Sequence, residues 1–291
     1  MIVDGAVAIT LPGGCWLDDA YHREVRLRPI SGGDEDFLLD AGNLLLPAHR
    51  ATALLARCLE SLGPAGPLTA ETVRSLTVGD REALLLHLRR LTLGERLQGV
   101  VDCPTSDCGE KMDLDLKVSD LLLPPYEECR RSYEAEVADN GSDYSVRFRL
   151  PNGADQEDAA VVARTDPQAA AELLLHRCVE SVTGENGEPV ETLPPMVADQ
   201  ISDLMSELDP QAELTLSLTC PACDHTFLAP FDAASYLFRE LDGRVKRLYR
   251  EVHLLAFYYH WSEAEIIDMP DRKRRLYLEL LEEALTEEAQ Q

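Results

Sequence analysis

This chain contains one pattern twice, so whatever the pattern folds into must be built twice. Leu54 to Leu62 reads L-L-A-R-C-L-E-S-L, and Leu174 to Val182 reads L-L-H-R-C-V-E-S-V, at an offset of 174 − 54 = 120 residues. Upstream, Val25-Arg26-Leu27-Arg28 with Gly32 and Asp34 recurs as Val146-Arg147-Phe148-Arg149 with Gly153 and Asp155. Downstream, Glu71-Thr72 pairs with Glu191-Thr192, and Val78-x-Asp80 pairs with Val197-x-Asp199. The offset drifts from 121 to 119 without reordering, as small deletions in a tandem copy produce. A period this long is outside the range of solenoid repeats, so two related subdomains are expected.

Each copy also carries a cysteine pair in the corresponding place. Cys103-Pro-Thr-Ser-Asp-Cys108 and Cys220-Pro-Ala-Cys223 follow the drift, at offsets of 117 and 115. Spacing of this kind lets one tight turn aim two sulfurs at one metal, and two such turns supply the four thiolates of a closed zinc site. With every position filled by sulfur, no place remains for a reactive water. The expectation is therefore a structural zinc held by Cys103, Cys108, Cys220 and Cys223, joining the two copies. A thiol–disulfide centre at Cys220–Cys223 is the rival reading. It wants the first cysteine at a helix N-terminus, and the alternation after Cys223 reads as strand.

Composition sets the class of partner. A formal net charge of −26 argues against nucleic acid, whose phosphates demand a basic face, and against anionic membranes. No apolar run approaches the roughly 20 residues of a spanning helix. Met1-Ile2-Val3-Asp4-Gly5 has no cationic region followed by an apolar one, so no secretory signal is expected. Eight cysteines in that setting point to the reducing cytoplasm and to metal rather than disulfides.

The coarse pattern predicts an α+β fold. Each copy opens with a hairpin, Val7–Leu11 with Glu24–Arg28 and Tyr133–Val137 with Tyr144–Leu150, the second turning at Asn140-Gly141. Ser31-Gly-Gly-Asp34-Glu35 reads as an acidic helix start, where the helix dipole favours negative charge. Helices are expected over Pro47–Leu62 and Pro167–Val182, with Cys58 and Cys178 as small buried residues. The first ends at the breaker-rich Gly63-Pro64-Ala65-Gly66-Pro67. Further helices over Val78–Leu93 and Met196–Leu208 lead to strand, knuckle, strand. From Asp232 the chain is helical: Ser235–Tyr259 with a potential break at Gly243, an S-x-x-E capping box at Ser262, and Asp271–Glu288 after Pro270. The expected divisions are 1–124, 125–232 and 233–291. Two duplicated hairpin-helix-helix-knuckle subdomains are thus joined by a split zinc-ribbon-like site and followed by a helical region.

Other chemistry-bearing residues read as structure. His225 is expected to be a solvated strand residue rather than a replacement ligand. His253 and His260, seven apart and so on one helix face, lie near Phe257, Tyr258, Tyr259 and Trp261 in an aromatic packing or interface stripe. Asp113 and Asp115 form the wet face of a strand. Arg272-Lys273-Arg274-Arg275 is expected to pair on the helix surface with Glu279, Glu282 and Glu283. No phosphate loop, nucleophile elbow or dinucleotide fingerprint occurs, so no enzyme and no small-molecule substrate is expected.

Leu76-Thr-Val-Gly-Asp-Arg-Glu82, both knuckles, and His253-Leu-Leu-Ala-Phe-Tyr-Tyr-His-Trp-Ser-Glu-Ala-Glu-Ile266 together resemble the T-even-type baseplate assembly proteins. These belong to contractile-tail phages and related bacterial contractile injection systems. The resemblance, running from about Arg26 to the last helix, implies a non-catalytic protein that builds the baseplate or its hub, as chaperone or retained part. Its partners would then be baseplate or hub proteins, and it carries no catalytic residues over. The longer Cys103–Cys108 spacing departs from a plain C-x-x-C and leaves the geometry of that knuckle open. A zinc-ribbon module acting on nucleic acid is the alternative that the knuckles alone would allow.

Overall fold

A computed structural model describes residues 5–17, 19–42, 44–63, 68–190 and 192–289. The amino-terminal tetrapeptide, the breakers at 64–67 and Glu191 of the repeat lie outside the described residues. Each copy begins with a three-stranded antiparallel sheet. The first has the order β1 (Val7–Leu17), β2 (Ala20–Leu27), β3 (Leu59–Leu62). Helices α1 (Gly32–Gly42) and α2 (Pro47–Cys58) lie between its second and third strands. From α2 the chain continues through α3 (Ala70–Ser75) and α4 (Val78–Leu93) to a hairpin, β4 (Arg96–Asp102) with β5 (Lys111–Lys117), then α5 (Val118–Leu121).

The second copy lays out β6 (Tyr133–Asp139), β7 (Ser142–Phe148), α6 (Gly153–Ala163), α7 (Pro167–Cys178) and β8 (Val179–Gly184). Its sheet order β6-β7-β8 matches that of the first. Helix α8 (Pro195–Leu208), a 3₁₀ turn at Pro210–Ala212, and the hairpin of β9 (Thr215–Thr219) with β10 (Thr226–Pro230) follow. The chain closes with α9 (Ala233–Tyr259), α10 (Glu263–Ile267) and α11 (Asp271–Ala289).

The correspondence extends to register and side chains. A bulge falls between Arg26 and Leu27 where β2 meets β3, and between Arg147 and Phe148 where β7 meets β8. The Arg28 amide bonds the Cys58 carbonyl at 3.0 Å, and the Arg149 amide bonds that of Cys178 at 2.9 Å. Asp34, fully buried, receives Arg28 at 2.6 Å and Arg57 at 2.8 Å. Asp155, equally buried, receives Arg149 at 2.5 Å and Arg177 at 2.8 Å. The acidic helix start therefore does more than cap. Asp34 accepts the Ser31 amide at 2.9 Å as a cap does, and its other contacts lock strand to helix. Burial pushes the Asp34 carboxyl up, but the guanidinium of Arg28 and the Ser31 donors outweigh it and hold the group well below the usual carboxylate range.

Two expectations about local structure need correction. The helices expected through Leu62 and Val182 stop at Cys58 and Cys178, and their last residues become β3 and β8. Apolar spacing at Leu55, Cys58, Leu59 and Leu62 suits a helix. The free edge of the hairpin, however, offers main-chain bonds, and the bulge turns both Leu59 and Leu62 inward. The first hairpin also extends beyond its expected ends to Leu17 and Ala20, with the register shift between Thr10 and Cys15 absorbed around Gly13 and Gly14. Helix α9 passes through Gly243 unbroken.

One hydrophobic core gathers the first sheet, α2 and α4, and the start of α9 through Leu237, Phe238 and Leu241. A second lies between the second sheet and α8. The copies meet reciprocally: the Val78 amide bonds the Pro151 carbonyl at 3.1 Å and the Gly153 amide bonds that of Leu76 at 3.0 Å. Buried Arg81 crosses this seam against Gly153, where a Cβ would lie 2.4 Å from its Nη1. Nearby, Asp80 accepts the Gly13 amide at 2.7 Å and Asp209 accepts that of Gly79 at 2.9 Å. Burial, opposed by the Gly13 amide and aided by Asp209, pushes the Asp80 carboxyl up to about 7. Glu82, buried beside the Ala233 amide, is likewise pushed up to about 7.

Candidate metal centre

The two hairpins that end the copies bring their tips together. In the first, the Cys103 amide bonds the Glu110 carbonyl at 2.8 Å. In the second, the Cys220 amide bonds the His225 carbonyl at 2.9 Å. The closing carbonyl thus lies two residues beyond the second cysteine in both. A residue of positive φ follows that cysteine directly each time, Gly109 at 56° and Asp224 at 55°. The knuckles are therefore equivalent from the second cysteine onward. The two additional residues of the first fall between its cysteines, where the Cys108 amide bonds Thr105 at 3.0 Å.

A single side chain ties the first hairpin to the chain after the second. Tyr236, in the first turn of α9, accepts the Gln98 amide of β4 at 2.9 Å and donates to the Gln98 carbonyl at 2.6 Å. Its ring packs against Phe231 at 5.6 Å, and the Phe231 amide bonds Leu214 at 2.8 Å. Asp232 caps the helix that carries Tyr236, through the Ser235 amide at 2.8 Å.

The four sulfurs of Cys103, Cys108, Cys220 and Cys223 lie within 4.8 Å of one another. Across the hairpins, Cys103 Sγ is 3.7 Å from Cys223 Sγ, and Cys108 Sγ is 3.7 Å from Cys220 Sγ. A tetrahedron with metal–sulfur bonds of about 2.3 Å has edges of about 3.8 Å, so the spacing fits a metal bound by four thiolates. The cluster can therefore hold a metal ion. Cys103 and Cys220 are buried, Cys108 is half-buried and Cys223 is exposed. Met112 is buried with the cluster, and Val101 and Phe227 pack against it.

The surroundings of Cys103 and Cys108 differ. The hydroxyl and then the amide of Thr105 point at Cys103 and hold its thiol down to about 7. At Cys108 the Glu110 amide pulls the same way, but the neighbouring sulfurs, led by Cys223, and burial raise the thiol to about 12. Thiols this close cannot all ionise without a cation between them. Glu110 acts through its amide, which leaves no mark on residue type, and the Thr105 hydroxyl reaches Cys103 only because of how the longer knuckle folds.

The remaining residues take structural positions. His225 is exposed, stacked over Phe227 at 6.1 Å, and outside the sulfur cluster. Cys220 follows a strand rather than opening a helix, the setting that a redox cysteine wants. Cys58 and Cys178 are buried, their thiols pushed up to about 12 by burial and then by Asp34 and Asp155. Asp113 and Asp115 line the exposed face of β5. The aromatic stripe divides: Tyr259, Trp261 and Tyr277 pack together at 4.7–5.7 Å, while Phe257 and Tyr258 face solvent beside exposed His253 and His260. The basic cluster does not pair as expected. Arg274 is buried and bonds Glu251 of α9 at 2.8 Å, while Arg275 reaches back to Asp271 at 2.8 Å. Helix periodicity turns one residue in four of such a run inward, and here that residue is an arginine.

Residues 17–237 match the model of a family described as T4 bacteriophage base plate protein. The matched span includes Leu76–Glu82 and both knuckles and stops before the segment at 253–266. No curated protein and no solved structure matches the chain. Among the described residues, no helix is long and apolar enough to cross a membrane.

Proposed function

Because the chain belongs to the T4 bacteriophage base plate protein family, we propose that it is a non-catalytic assembly factor or structural component of a contractile tail baseplate, in a phage or a contractile injection system. The family match over residues 17–237 carries this reading. It supports a baseplate-related structural or assembly role. In the finer assignment, baseplate or hub proteins as partners follow from the family resemblance, and a cytoplasmic setting follows from the cysteine usage.

In this reading the chain is a tandem duplication, with units at 1–124 and 125–232 and a helical region at 233–291. The equivalent bulges, arginine–aspartate locks and knuckles support common descent of the two units. The metal is zinc, since four soft thiolates in a closed tetrahedron select it over hard cations. Its ligands are Cys103, Cys108, Cys220 and Cys223, and its role is to clasp the two units so that partners meet one fixed surface. Bound there, zinc supplies cross-linking and no reaction.

The test is isolation of the tagged chain from its native cells during particle assembly. Tail and baseplate proteins should accompany it in stoichiometric amounts. Recovery of the chain alone throughout assembly would overturn the proposal.

A further inference from the structure

Helix α9 carries a second feature that the metal centre does not use. Lys246, Arg250, His253 and Phe257 follow one another at spacings of four, three and four, which places them in one line along the helix. All four are exposed, Phe257 by 65%, and Leu254 flanks the line at 42%. Ion pairs on this stretch are made by Arg244 with Glu35 and by Arg247 with Glu251. Lys246 and Arg250 take part in none among the described residues. A cationic line ending in an exposed aromatic is out of character for a chain of net charge −26.

Helix α11 carries the complement. Leu276, Glu279, Glu283 and Glu287 also run in one exposed line, Leu276 by 53%, with Leu280 beside it at 46%. The ion pairs of α11 use Arg274, Arg275 and Asp271, and none of these glutamates is paired among the described residues. Laid antiparallel, the lines match throughout. Leu276 meets Phe257, Glu279 meets His253, Glu283 meets Arg250 and Glu287 meets Lys246. Laid parallel, Leu276 would face Lys246 and Glu287 would face Phe257. The pattern selects one sense.

The two lines of a single chain cannot meet. Within the chain, α9 and α11 are held together by Glu251 with Arg274 and by Tyr259 with Tyr277, on the opposite side of each helix. We infer that the exposed line of α9 docks the exposed line of α11 from a second copy of this chain. One copy thus receives a helix on α9 while offering its own α11 to another. Such a contact is heterologous and builds a ring or an open chain rather than a closed pair.

The experiment is sedimentation of the full-length chain over roughly a hundredfold range of concentration, in salt near physiological so that the like net charges are screened beyond about 8 Å. The mass should climb with concentration past that of a dimer. Lys246→Glu with Arg250→Glu should weaken association at least about tenfold, as should Glu283→Arg with Glu287→Lys. Combining all four should return it to within about threefold of the parent, a rescue that misfolding does not produce. Phe257→Ala should weaken it too, with unchanged melting since the ring is exposed. A parent that stays monomeric throughout overturns the inference, as does association that ignores the reversals. Reversals that abolish association without rescue in combination also overturn it, placing the contact elsewhere.

Discussion

If one metal clasps the two copies, the most direct perturbation removes a ligand that contributes nothing else. Cys223 is that ligand, because its side chain is exposed and its loss leaves no cavity. A metal bound by both knuckles closes a loop of 111 residues between Cys108 and Cys220. Closing a loop of that length in the unfolded chain removes entropy equivalent to about 5 kcal/mol at room temperature. A chain of this length unfolds with an entropy of about 0.6 kcal/mol per kelvin, so the clasp raises the melting temperature by about 8 °C. The assay compares thermal unfolding of parent and Cys223→Ser, each with equimolar zinc and with a strong chelator, alongside the metal content of the purified chains. In chelator the two should melt together. In zinc the parent should melt about 8 °C higher and carry one zinc per chain. A parent purified without metal, or a variant that melts with the parent in zinc, would refute the reasoning.

Further outcomes follow from the buried charges. Asp34→Ala leaves Arg28 and Arg57 without their shared partner and should cost about 3–5 kcal/mol in chemical denaturation. Because pairing holds this carboxyl low, its contribution is complete above the unfolded value near about 4 and fades as pH falls below it. The parent should therefore lose stability in acid more steeply than Asp34→Asn. Asp80 and Glu82 carry the opposite sign, since burial raises both to about 7. Stability should fall as pH rises from about 4 to 7, by up to about 1.4 kcal/mol per pH unit for each group. Asp80→Asn should make that slope shallower in denaturant titrations at successive pH values, and an unchanged slope would remove Asp80 from the account. Arg274→Ala leaves buried Glu251 with the longer Arg247 pair alone and should cost about 2–3 kcal/mol, whereas Arg272→Ala on the exposed side should cost within about 0.5 kcal/mol.

Much of this architecture is legible along the chain because its signals are local or repeated. The span of α4 matches the expected Val78–Leu93, and in the structure Thr77 caps its start and Gly94 stands at its end. The wet face of β5 follows from strict alternation. The four cysteines are legible through spacing and through their equivalent places in the repeat. The ends of α2 and α7 are not. Their last residues satisfy helical and strand patterns alike, and only the waiting edge of the sheet decides between them. Arg274 shows the same limit for charge. Four consecutive basic residues look alike until the packing of α11 on α9 turns one of them toward Glu251.

Repetition along the chain shows that one residue pattern recurs and that each occurrence is followed by a pair of cysteines, because residue identity and spacing carry that information directly. Whether the pairs face one another depends on bonds between residues far apart. Tyr236 holding the first hairpin, the reciprocal bonds from the Val78 and Gly153 amides to the Pro151 and Leu76 carbonyls, and Arg81 lying across Gly153 set the two tips together. None of these contacts has a sequence period. Each depends on where a distant backbone arrives, so the distances among the four sulfurs exist only once both halves are folded and packed.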